Sequence, residues 1–563
     1  MRRYVAFTVG LMLSIRVFAA TCLQAPAVPK DPKQKEDTCR ISGMVVKAAD
    51  GAPLKGAGVS LRNNEDREHN IATTTTADGH FVLQNVPAGH YKLFVNRNGY
   101  VPQAFGQRKP NDPGATFTLS PGQTKTDVTF RLIPSAVISG RVFDGDGEPV
   151  PHASVTAWRE TYDEGRKTIG PVTHASTDDL GAFRLFGLSP GRYFVSALEP
   201  GGRQLSGDRE FSGAVGESAE QGYAKTYYPG TADISRAAAI LVKEGDEIPS
   251  VDIGLKEITV HRIRGKVLNQ LTHKPGEDVW VLLIPRTKLQ EWDSAGQTLA
   301  KKADGSFEIA NVAPGPYTIV AYWSDQGKIH SAVQKVEVGE RDVEDVLLTL
   351  SAGATVQGRI LWDGKPSMER DELSVYTNAT DMTFNWGVGE ARVDSNQQFT
   401  LKGLTAGDVR MQISGASKDC YIKQIAYGQT FIKDDVISIA NAGNPALEIT
   451  LSSRGARVQG SVVDKDNLPS AGVWVVAVPD EARRTILRLF KSQTTDQYGK
   501  FDLHGLAPGT YKLFAWDGTE GNAWENEDFL KLFEDQGTKI ELRDEDVVTT
   551  NLTVISAKRE GND

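Results

Sequence analysis

The chain has 563 residues and a net charge of −9 at neutral pH, with 39% hydrophobic residues, 55 glycines and 26 prolines. This length predicts about four or five domains, and the composition excludes a disordered or collagen-like chain. The excess of acids disfavours nucleic-acid binding, because such binding depends on neutralising phosphates. Only three cysteines occur, with no C-x-x-C pair, so neither a disulfide framework nor a zinc knuckle is expected.

The N-terminus has the pattern of an export signal. Arg2 and Arg3 precede an apolar run that extends to Phe18 and ends in small residues at Ala19 and Ala20. We therefore expect a signal peptide over 1–20, with a retained N-terminal anchor as the alternative. Its removal would take away three arginines and no acid, so the net charge would change from −9 to −12. No other run approaches membrane length, so no span is expected in the mature chain.

One sequence pattern recurs along the rest of the chain. Each copy reads as a turn, a strand, a tight turn with Gly and a second strand, and an acid is expected to hold the first turn through its backbone. The copies lie at Thr74–Val95, Ser176–Ala197, Lys301–Tyr322, Ala391–Ile413 and Thr494–Trp516. The turn acids are Asp78, Asp179, Asp304, Asp394 and Asp496.

The repeated glycines and aromatic residues predict a scaffold. A Gly supplies a positive φ, a Phe enters the core, and a Tyr after the second turn packs at the edge with its hydroxyl bonded locally. These positions are Gly79, Phe81, Gly89, Tyr91, Gly181, Phe183, Gly191, Tyr193, Gly305, Phe307, Gly315, Tyr317, Gly499, Phe501, Gly509 and Tyr511. The fourth copy has Gln397 and Val409 instead of Gly and Tyr, and is expected to be the least regular.

The spacing of a second motif predicts whole domains. An opening strand with Gly43, Gly140, Gly265, Gly358 or Gly460 precedes each copy, and a strand–turn–strand pattern closes it. About seven short strands a copy favour all-β, antiparallel β-sandwich domains of the immunoglobulin-like or prealbumin-like kind. The predicted segments are a signal peptide at 1–20, a flexible linker at 21–38, sandwiches at 39–134, 135–258, 259–350, 351–452 (degenerate) and 453–558, and a tail at 559–563.

Three segments interrupt these repeats. Residues 199–225 are rich in Gly and Ser and predict a mobile loop in the second sandwich. Asp480–Lys491 and Asn522–Asp535 have apolar residues at helical spacing and predict two short helical insertions in the fifth.

Aromatic residues are the candidates for ligand binding, because sugar rings stack on them. They are Tyr223, Tyr227, Tyr228, Trp292, Trp323, Trp516 and Trp524, and packing between strands or domains is the competing interpretation. Trp158, Trp280 and Trp474 lie in strand patterns and are expected in the core.

Catalytic motifs are absent from the sequence. None of the nine histidines has zinc-protease spacing, and there is no G-x-S-x-G elbow or phosphate-binding loop. The Asp144–Pro149 run predicts a hairpin turn and no metal site. We therefore expect no catalytic residue, no metal and no cofactor.

The openings xSGxVxDxxGxP and the middle motif resemble carboxypeptidase regulatory-like domains, on Ser139–Pro149, Val458–Pro469 and Thr494–Trp516. The resemblance implies a transthyretin-like sandwich, grouped with carbohydrate-binding-like folds, in a multi-domain exported bacterial protein. The zinc-binding H-x-x-E of metallocarboxypeptidases has no match, so no peptidase activity is implied.

Three functions remain open at this point. The first is a non-catalytic binding protein in the periplasm, on the outer surface or secreted, with polysaccharide or a cell-surface protein as partner. The second is a structural spacer or adhesion rod, and the third is an accessory module of an outer-membrane receptor system. Ligand identity, oligomeric state and whether Cys39 pairs with Cys420 also remain open.

Overall fold

The computed structural model describes residues 38–63, 70–110, 112–199, 221–275, 279–286, 296–301, 304–325, 328–369, 372–380 and 389–557. The expected signal peptide, almost all of the linker, most of the expected mobile loop, Trp292 and the tail lie outside these residues. Within them the chain is almost entirely strand. For description we call the predicted sandwich ranges units 1 to 5, and these exact boundaries stay a prediction.

The strands are short and follow one another through the chain. Those of unit 1 are β1 (Cys39–Lys47), β2 (Gly58–Asn63), β3 (Asn70–Thr74), β4 (His80–Val86), β5 (Gly89–Asn96), β6 (Gln103–Ala104), β7 (Phe117–Leu119) and β8 (Thr124–Leu132). Those of unit 2 and its junction with unit 3 are β9 (Ala136–Phe143), β10 (Ser154–Asp163), β11 (Arg166–Ser176), β12 (Ala182–Leu188), β13 (Gly191–Leu198), β14 (Gln221–Tyr223), β15 (Thr226–Tyr227), β16 (Ile240–Val242), β17 (Glu247–Ile248), β18 (Ile253–Gly254) and β19 (Glu257–Thr259).

Units 3 to 5 continue in the same way. Unit 3 has β20 (His261–Asn269), β21 (Lys274–Pro275), β22 (Trp280–Pro285), β23 (Gly296–Leu299), β24 (Ser306–Val312), β25 (Gly315–Asp325), β26 (Lys328–Val338) and β27 (Val343–Leu350). Unit 4 has β28 (Ala354–Asp363), β29 (Ser374–Ala379), β30 (Glu390–Arg392), β31 (Gln398–Leu404), β32 (Gly407–Ser414), β33 (Tyr421–Tyr427), β34 (Thr430–Ile432), β35 (Val436–Ile439) and β36 (Leu447–Ser452). Unit 5 has β37 (Ala456–Val463), β38 (Trp474–Pro479), β39 (Lys491–Thr494), β40 (Lys500–Leu506), β41 (Gly509–Asp517), β42 (Thr538–Leu542), β43 (Val547–Thr553) and β44 (Ile555–Ser556).

Helical structure is confined to short pieces. The described part of the chain has one α-helix of five residues, α1 (Glu527–Lys531), and 3₁₀ turns at Ile234–Arg236, Glu481–Arg483, Leu487–Leu489, Ala523–Glu525 and Glu534–Gln536. The expected insertion at Asp480–Lys491 is therefore two separate 3₁₀ turns and no continuous helix. Its apolar spacing instead serves to bury Leu489 and Phe490 against the sheet.

Each unit is built from two sheets, which confirms the predicted all-β sandwich fold. In unit 5 the first sheet has the order β40-β37-β43 and the second has the order β39-β38-β41-β42. Separate apolar cores lie inside the five units. The sheets are mostly antiparallel, but the opening strand pairs in parallel with a closing strand in every unit, as β37 does with β43.

The recurring glycine of the opening strand marks this parallel pair. A Cβ at Gly460 would lie 1.7 Å from the carbonyl oxygen of Thr550, and one at Gly43 would lie 1.9 Å from that of Val128. Carbonyl groups lie almost as close at Gly140 and Gly265. The glycine is therefore required because another backbone occupies the space of a side chain.

The first turn of the repeated motif is held by a side chain, although one predicted residue is wrong. Asp496 Oδ1 accepts from the backbone N–H groups of Tyr498 and Lys500, as expected. In unit 2 the acceptor is Asp178 and not Asp179, because Asp178 is the residue three positions before the glycine. The glycines at this turn have φ near +70°, and in unit 4 Gln397 adopts φ +63°.

The Phe residues of the motif are buried in every unit, and the Tyr residues are buried in the four units that have one. The phenylalanines are 2–4% exposed. Each tyrosine hydroxyl donates to the carbonyl oxygen four residues earlier, as Tyr511 does to Ala507 at 2.9 Å and Tyr91 does to Pro87 at 2.9 Å. This bond closes the Gly turn over the core.

A buried threonine just before the turn links two loops. Thr495 Oγ1 donates to the carbonyl oxygen of Ser470 at 2.7 Å and accepts from the N–H of Val473 at 3.0 Å. Thr75 and Thr177 make the same pair of bonds in units 1 and 2. Sequence reasoning did not single out these residues.

We expect Thr495→Val to lower the free energy of unfolding of unit 5 by about 1–3 kcal/mol, because it leaves a buried N–H and a buried carbonyl unpaired. Amide hydrogen exchange of β38 measures this loss. Thr553→Val, on an exposed position of β43, is the control and should leave protection unchanged. Equal effects of the two changes would contradict the prediction.

Unit 5 contacts three other units. Gln497 bonds Thr118 of unit 1, Asn526 bonds Gly165 of unit 2, and Asp544 accepts from the Tyr421 hydroxyl of unit 4. The cysteines do not tie these units together, since Cys39 and Cys420 are both free and buried. No helix in the described residues is both long and apolar enough to cross a membrane.

Candidate binding cleft between units 1 and 5

The predicted aromatic candidates in unit 5 lie in a second core. Trp516 is fully buried and Trp524 is 2% exposed. Trp516 stacks on Phe514, with ring centroids 4.5 Å apart, and Trp474 lies 4.9 Å from Trp524. Together with Phe529 and Phe533 these rings fasten the helical insertion to the outer face of the second sheet. The rings of Trp516 and Trp524 are thus occupied by packing and offer no face to a ligand.

The tyrosine candidates of unit 2 also pack against protein. Tyr227 is 2% exposed in a small cluster with Trp158, while Tyr223 and Tyr228 are half-buried against the unit 2 core. The hydroxyl of Tyr223 accepts from the N–H of Gly145 at 3.2 Å. Gln221–Tyr223 form a strand paired with Glu257–Thr259, so this end of the expected mobile loop is ordered by pairing.

The aromatic candidates of unit 3 do not lie together with those of units 2 and 5. Trp323 is half-buried, with its ring 5.7 Å from that of His330. The prediction that Trp280 lies in the core is wrong: it is 40% exposed, because Val281 and Leu283 of β22 enter the core of unit 3 and Trp280 therefore lies on the opposite face of the strand. The aromatic candidates therefore do not converge on one surface.

A cavity of about 500 Å³, lined mainly by residues with hydroxyl, amide and charged groups, lies instead where units 1 and 5 meet. Its floor is the outer face of the first sheet of unit 5, with Gln459 and Ser461 from β37, Asp502 from β40, and Thr549 and Asn551 from β43. Successive side chains of a strand alternate between its faces, so these residues at spacings of two share the solvent side. The opposite wall is His90, Thr116 and Thr118 of unit 1.

Neutral side chains dominate the hydrogen bonding of the floor. Ser461 Oγ donates to Asn551 Oδ1 at 2.8 Å, and Gln459 Nε2 donates to Thr549 Oγ1 at 3.3 Å. Asn551 Nδ2 and Gln459 Oε1 have no protein partner among the described residues. The floor thus presents both a donor and an acceptor toward the cavity.

The two acids that line the cleft are held by protein partners. Asp502 forms a bidentate pair with Arg457, at 2.6 and 2.7 Å. Burial acts to raise the pKa of Asp502, but hydrogen bonds from Arg457 and His504 more than offset it and leave the pKa lowered. Asp496 is occupied by the turn N–H groups described above. Lys500 also lines the cleft, and its side chain has no ion-pair partner among the described residues.

The two walls are fixed to one another. Gln497 exchanges two bonds with the backbone of Thr118, at 3.0 and 2.8 Å. Lys92 Nζ donates to Thr494 Oγ1 at 3.0 Å, and burial lowers the pKa of this lysine to about 8. Lys109 lies 3.3 Å from Asp517. The width of the cleft is set by these contacts.

A second polar network lies at the other end of the same sheet face, against unit 4. His504 has Nδ1 2.7 Å from Asp419 of unit 4 and Nε2 3.0 Å from Asp502. Both ring nitrogens face carboxylates, so neither is directed at a nucleophile. The network lines a cavity of about 420 Å³ and joins units 4 and 5.

Sequence reasoning missed both polar sites. The floor residues Gln459 and Ser461 flank Gly460, which the sequence marked only as an alignment point. The alternation of β37 indicates which side chains are outward, but only the docking of unit 1 turns that face into a cleft.

Comparison with known proteins identifies part of the chain. A family model of the carboxypeptidase regulatory-like domain matches residues 40–133 and 137–219. This is a regulatory-like and not a catalytic domain. No curated protein matches the chain.

Solved structures show only distant likeness. The Bacillus anthracis TIE protein has 14% identity and a TM-score of 0.16, over 56% of this chain and 51% of that one, so the match spans about half of that protein. The minor pilin GBS52 of Streptococcus agalactiae has 14% identity and a TM-score of 0.22, over 39% of this chain and 97% of that one. The major pilin subunit BcpA of Bacillus cereus has 11% identity and a TM-score of 0.14, over 55% and 99%. Such scores carry no inference about function. What the family match does show is that the chain contains two tandem carboxypeptidase regulatory-like domains, at residues 40–133 and 137–219.

Proposed function

We propose that this chain is a non-catalytic, exported binding protein that takes a neutral, hydroxyl-rich ligand, such as a carbohydrate, in the cleft between units 1 and 5. The carrying observation is the cavity of about 500 Å³ whose floor presents an amide donor and an amide acceptor without protein partners. Volumes of this size accommodate small ligands or a few sugar rings.

The mode of binding differs from ring stacking. Sugar hydroxyls both donate and accept, which suits the amide and hydroxyl groups of Gln459, Thr549 and Asn551. Because Asp502 is paired with Arg457, a neutral ligand would meet no unpaired buried charge on the floor. Export is supported by the apolar N-terminal run of the sequence.

A structural scaffold is the second candidate. Its support is the series of sandwich units along the chain, each with its own apolar core. Small-angle scattering distinguishes the arrangements: a particle with units 1 and 5 in contact supports the cleft, and an extended profile with those units apart favours the spacer or adhesion rod.

The binding proposal is tested on a panel of neutral and uronic-acid oligosaccharides. We expect the wild-type chain to bind neutral members, and Gln459→Ala and Asn551→Ala each to weaken binding about two- to tenfold, since each removes one hydrogen bond to a ligand hydroxyl. Gln357→Ala is the matched control, because Gln357 precedes Gly358 as Gln459 precedes Gly460 but is exposed on unit 4. Failure of the wild-type chain to bind any neutral sugar, or equal affinity of all three variants, would overturn the proposal.

A further inference from the structure

One hairpin of unit 2 is longer than its counterparts. Strands β10 and β11 have 10 and 11 residues and pair out to Asp163 and Arg166, with one register shift between Ala157 and Trp158. The equivalent strands β38 and β39 of unit 5 have 6 and 4 residues. Glu164 and Gly165 make the turn with φ of +46° and +72°, as a two-residue hairpin turn requires.

The tip of this hairpin reaches both unit 4 and unit 5. Glu164 accepts two bonds from Arg410 of unit 4, at 3.1 and 3.3 Å. Arg166 donates to the carbonyl oxygen of Thr380, at 3.1 Å. On the other side Asn526 Nδ2 donates to the carbonyl oxygen of Gly165 at 2.8 Å.

Close backbone packing fixes the tip against unit 5. A Cβ at Gly165 would lie 2.5 Å from the carbonyl oxygen of Glu525. The ring of Tyr162 contacts that of Phe529, with centroids 6.5 Å apart. The tip of this hairpin therefore joins units 2, 4 and 5 at one place.

Acids outnumber bases where the tip meets Glu525. The charged groups that act on its carboxyl are Asp163 and Glu164 from the hairpin and Arg410 from unit 4, and the carboxyl also accepts a hydrogen bond from the backbone N–H of Gly165, which favours its ionised form. Arg410 is already engaged by Glu164, and Arg166 lies 3.9 Å from Glu164. Further along, Glu520 lies 3.7 Å from Arg159. An ionised Glu525 would thus add a charge to a site with no free base beside it.

We propose that the tip of this hairpin is a pH-sensitive latch, which holds unit 2 on units 4 and 5 while Glu525 is protonated and loosens when Glu525 ionises.

The direction of the pH dependence follows from the groups around the Glu525 carboxyl. Burial, with Glu164 and Asp163 nearby, raises the pKa of Glu525 to about 7, and Arg410 offsets this only in part. Burial also raises the pKa of Asp163 and of Glu520. A raised pKa means that docking is favoured below the ordinary pKa of the free group, 4.5, and is weakened as pH rises through about 7. Between pH 6 and pH 8.5 the equilibrium constant for docking of the hairpin tip should fall on the order of tenfold.

The test is amide hydrogen exchange of the hairpin residues 160–167 in the full chain, corrected for the intrinsic pH dependence of exchange. We expect protection of wild type to fall on the order of tenfold between pH 6 and pH 8.5. Glu525→Gln, which stays neutral, should keep its protection across this range. Glu541→Gln, at an exposed position of β42, should behave as wild type.

A second variant covers the case in which Glu525→Gln does not fold. Asp163→Asn removes one of the charges facing Glu525 and should reduce the loss of protection. Constant protection of wild type, or a pH profile of Asp163→Asn or Glu525→Gln identical to that of wild type, would overturn the latch. Because the hairpin is not part of the cleft, sugar affinity reports separately on the proposed function.

Discussion

Gly460→Ala is expected to unfold the first sheet of unit 5, with a loss of about 3 kcal/mol or more in the free energy of unfolding of that unit. The Cβ would sit 1.7 Å from the carbonyl oxygen of Thr550 and 3.2 Å from the ring of Phe501. A flexible side chain could move aside, but Thr550 belongs to β43, whose backbone is held by the parallel pairing with β37. The strands must therefore separate.

Amide hydrogen exchange resolved by peptide measures this effect, because it reports on β37 and β43 apart from the other units. Gly521→Ala is the control: nothing lies within 4 Å of its Cβ, and its φ is not positive. If Gly460→Ala kept the protection of β43 while Gly521→Ala lost it, the close approach would not be the reason for the recurring glycine.

Trp524→Ala is expected to destabilise unit 5 by about 3–5 kcal/mol, the usual cost of removing a buried Trp or Phe ring. Trp524 belongs to the helical insertion, and its ring lies against those of Trp474 and Trp516. Its loss leaves a cavity under α1, a helix of five residues that has no stability of its own. The insertion should then become sensitive to protease at lower urea concentration than in wild type.

The matched control is Tyr498→Ala, which removes a ring that is 47% exposed in the same unit and should cost less than about 1 kcal/mol. Measuring sugar binding distinguishes a ligand-binding role of Trp524 from a role in the core. A variant with wild-type stability that has lost sugar affinity would make Trp524 a ligand residue after all. A destabilised variant that still binds at low temperature agrees with its place in the core.

The repeated motif was predictable because its residues are selected by local geometry. Gly499 needs a positive φ, Asp496 bonds N–H groups two and four residues on, and the Tyr511 hydroxyl bonds a carbonyl four residues back. Such interactions span fewer than ten residues, so composition and spacing reveal them. The same reasoning failed at Asp179, where two adjacent acids left the position of the turn undetermined by pattern alone.

The aromatic candidates show where local pattern is insufficient. Trp516 and Trp524 are prominent in the sequence, but the number of rings in the insertion does not indicate whether they face solvent or one another. Burial is a sum over contacts between segments far apart in the chain, and here the insertion folds back on its own sheet.

The sandwich fold, its approximate repeat and the roles of the Gly, Phe and Tyr residues in the repeated motif are predictable from the sequence, because they depend on backbone conformation and on alternation along a strand. The placement of Gln459, Thr549 and Asn551 opposite His90 and Thr118 across a cleft, and the contact of Gly165 with Asn526, depend on how the units dock. These residues lie far apart in the chain, and Gly165 and Asn526 are separated by 361 positions. No local preference encodes such contacts, since they arise from the docking of whole units.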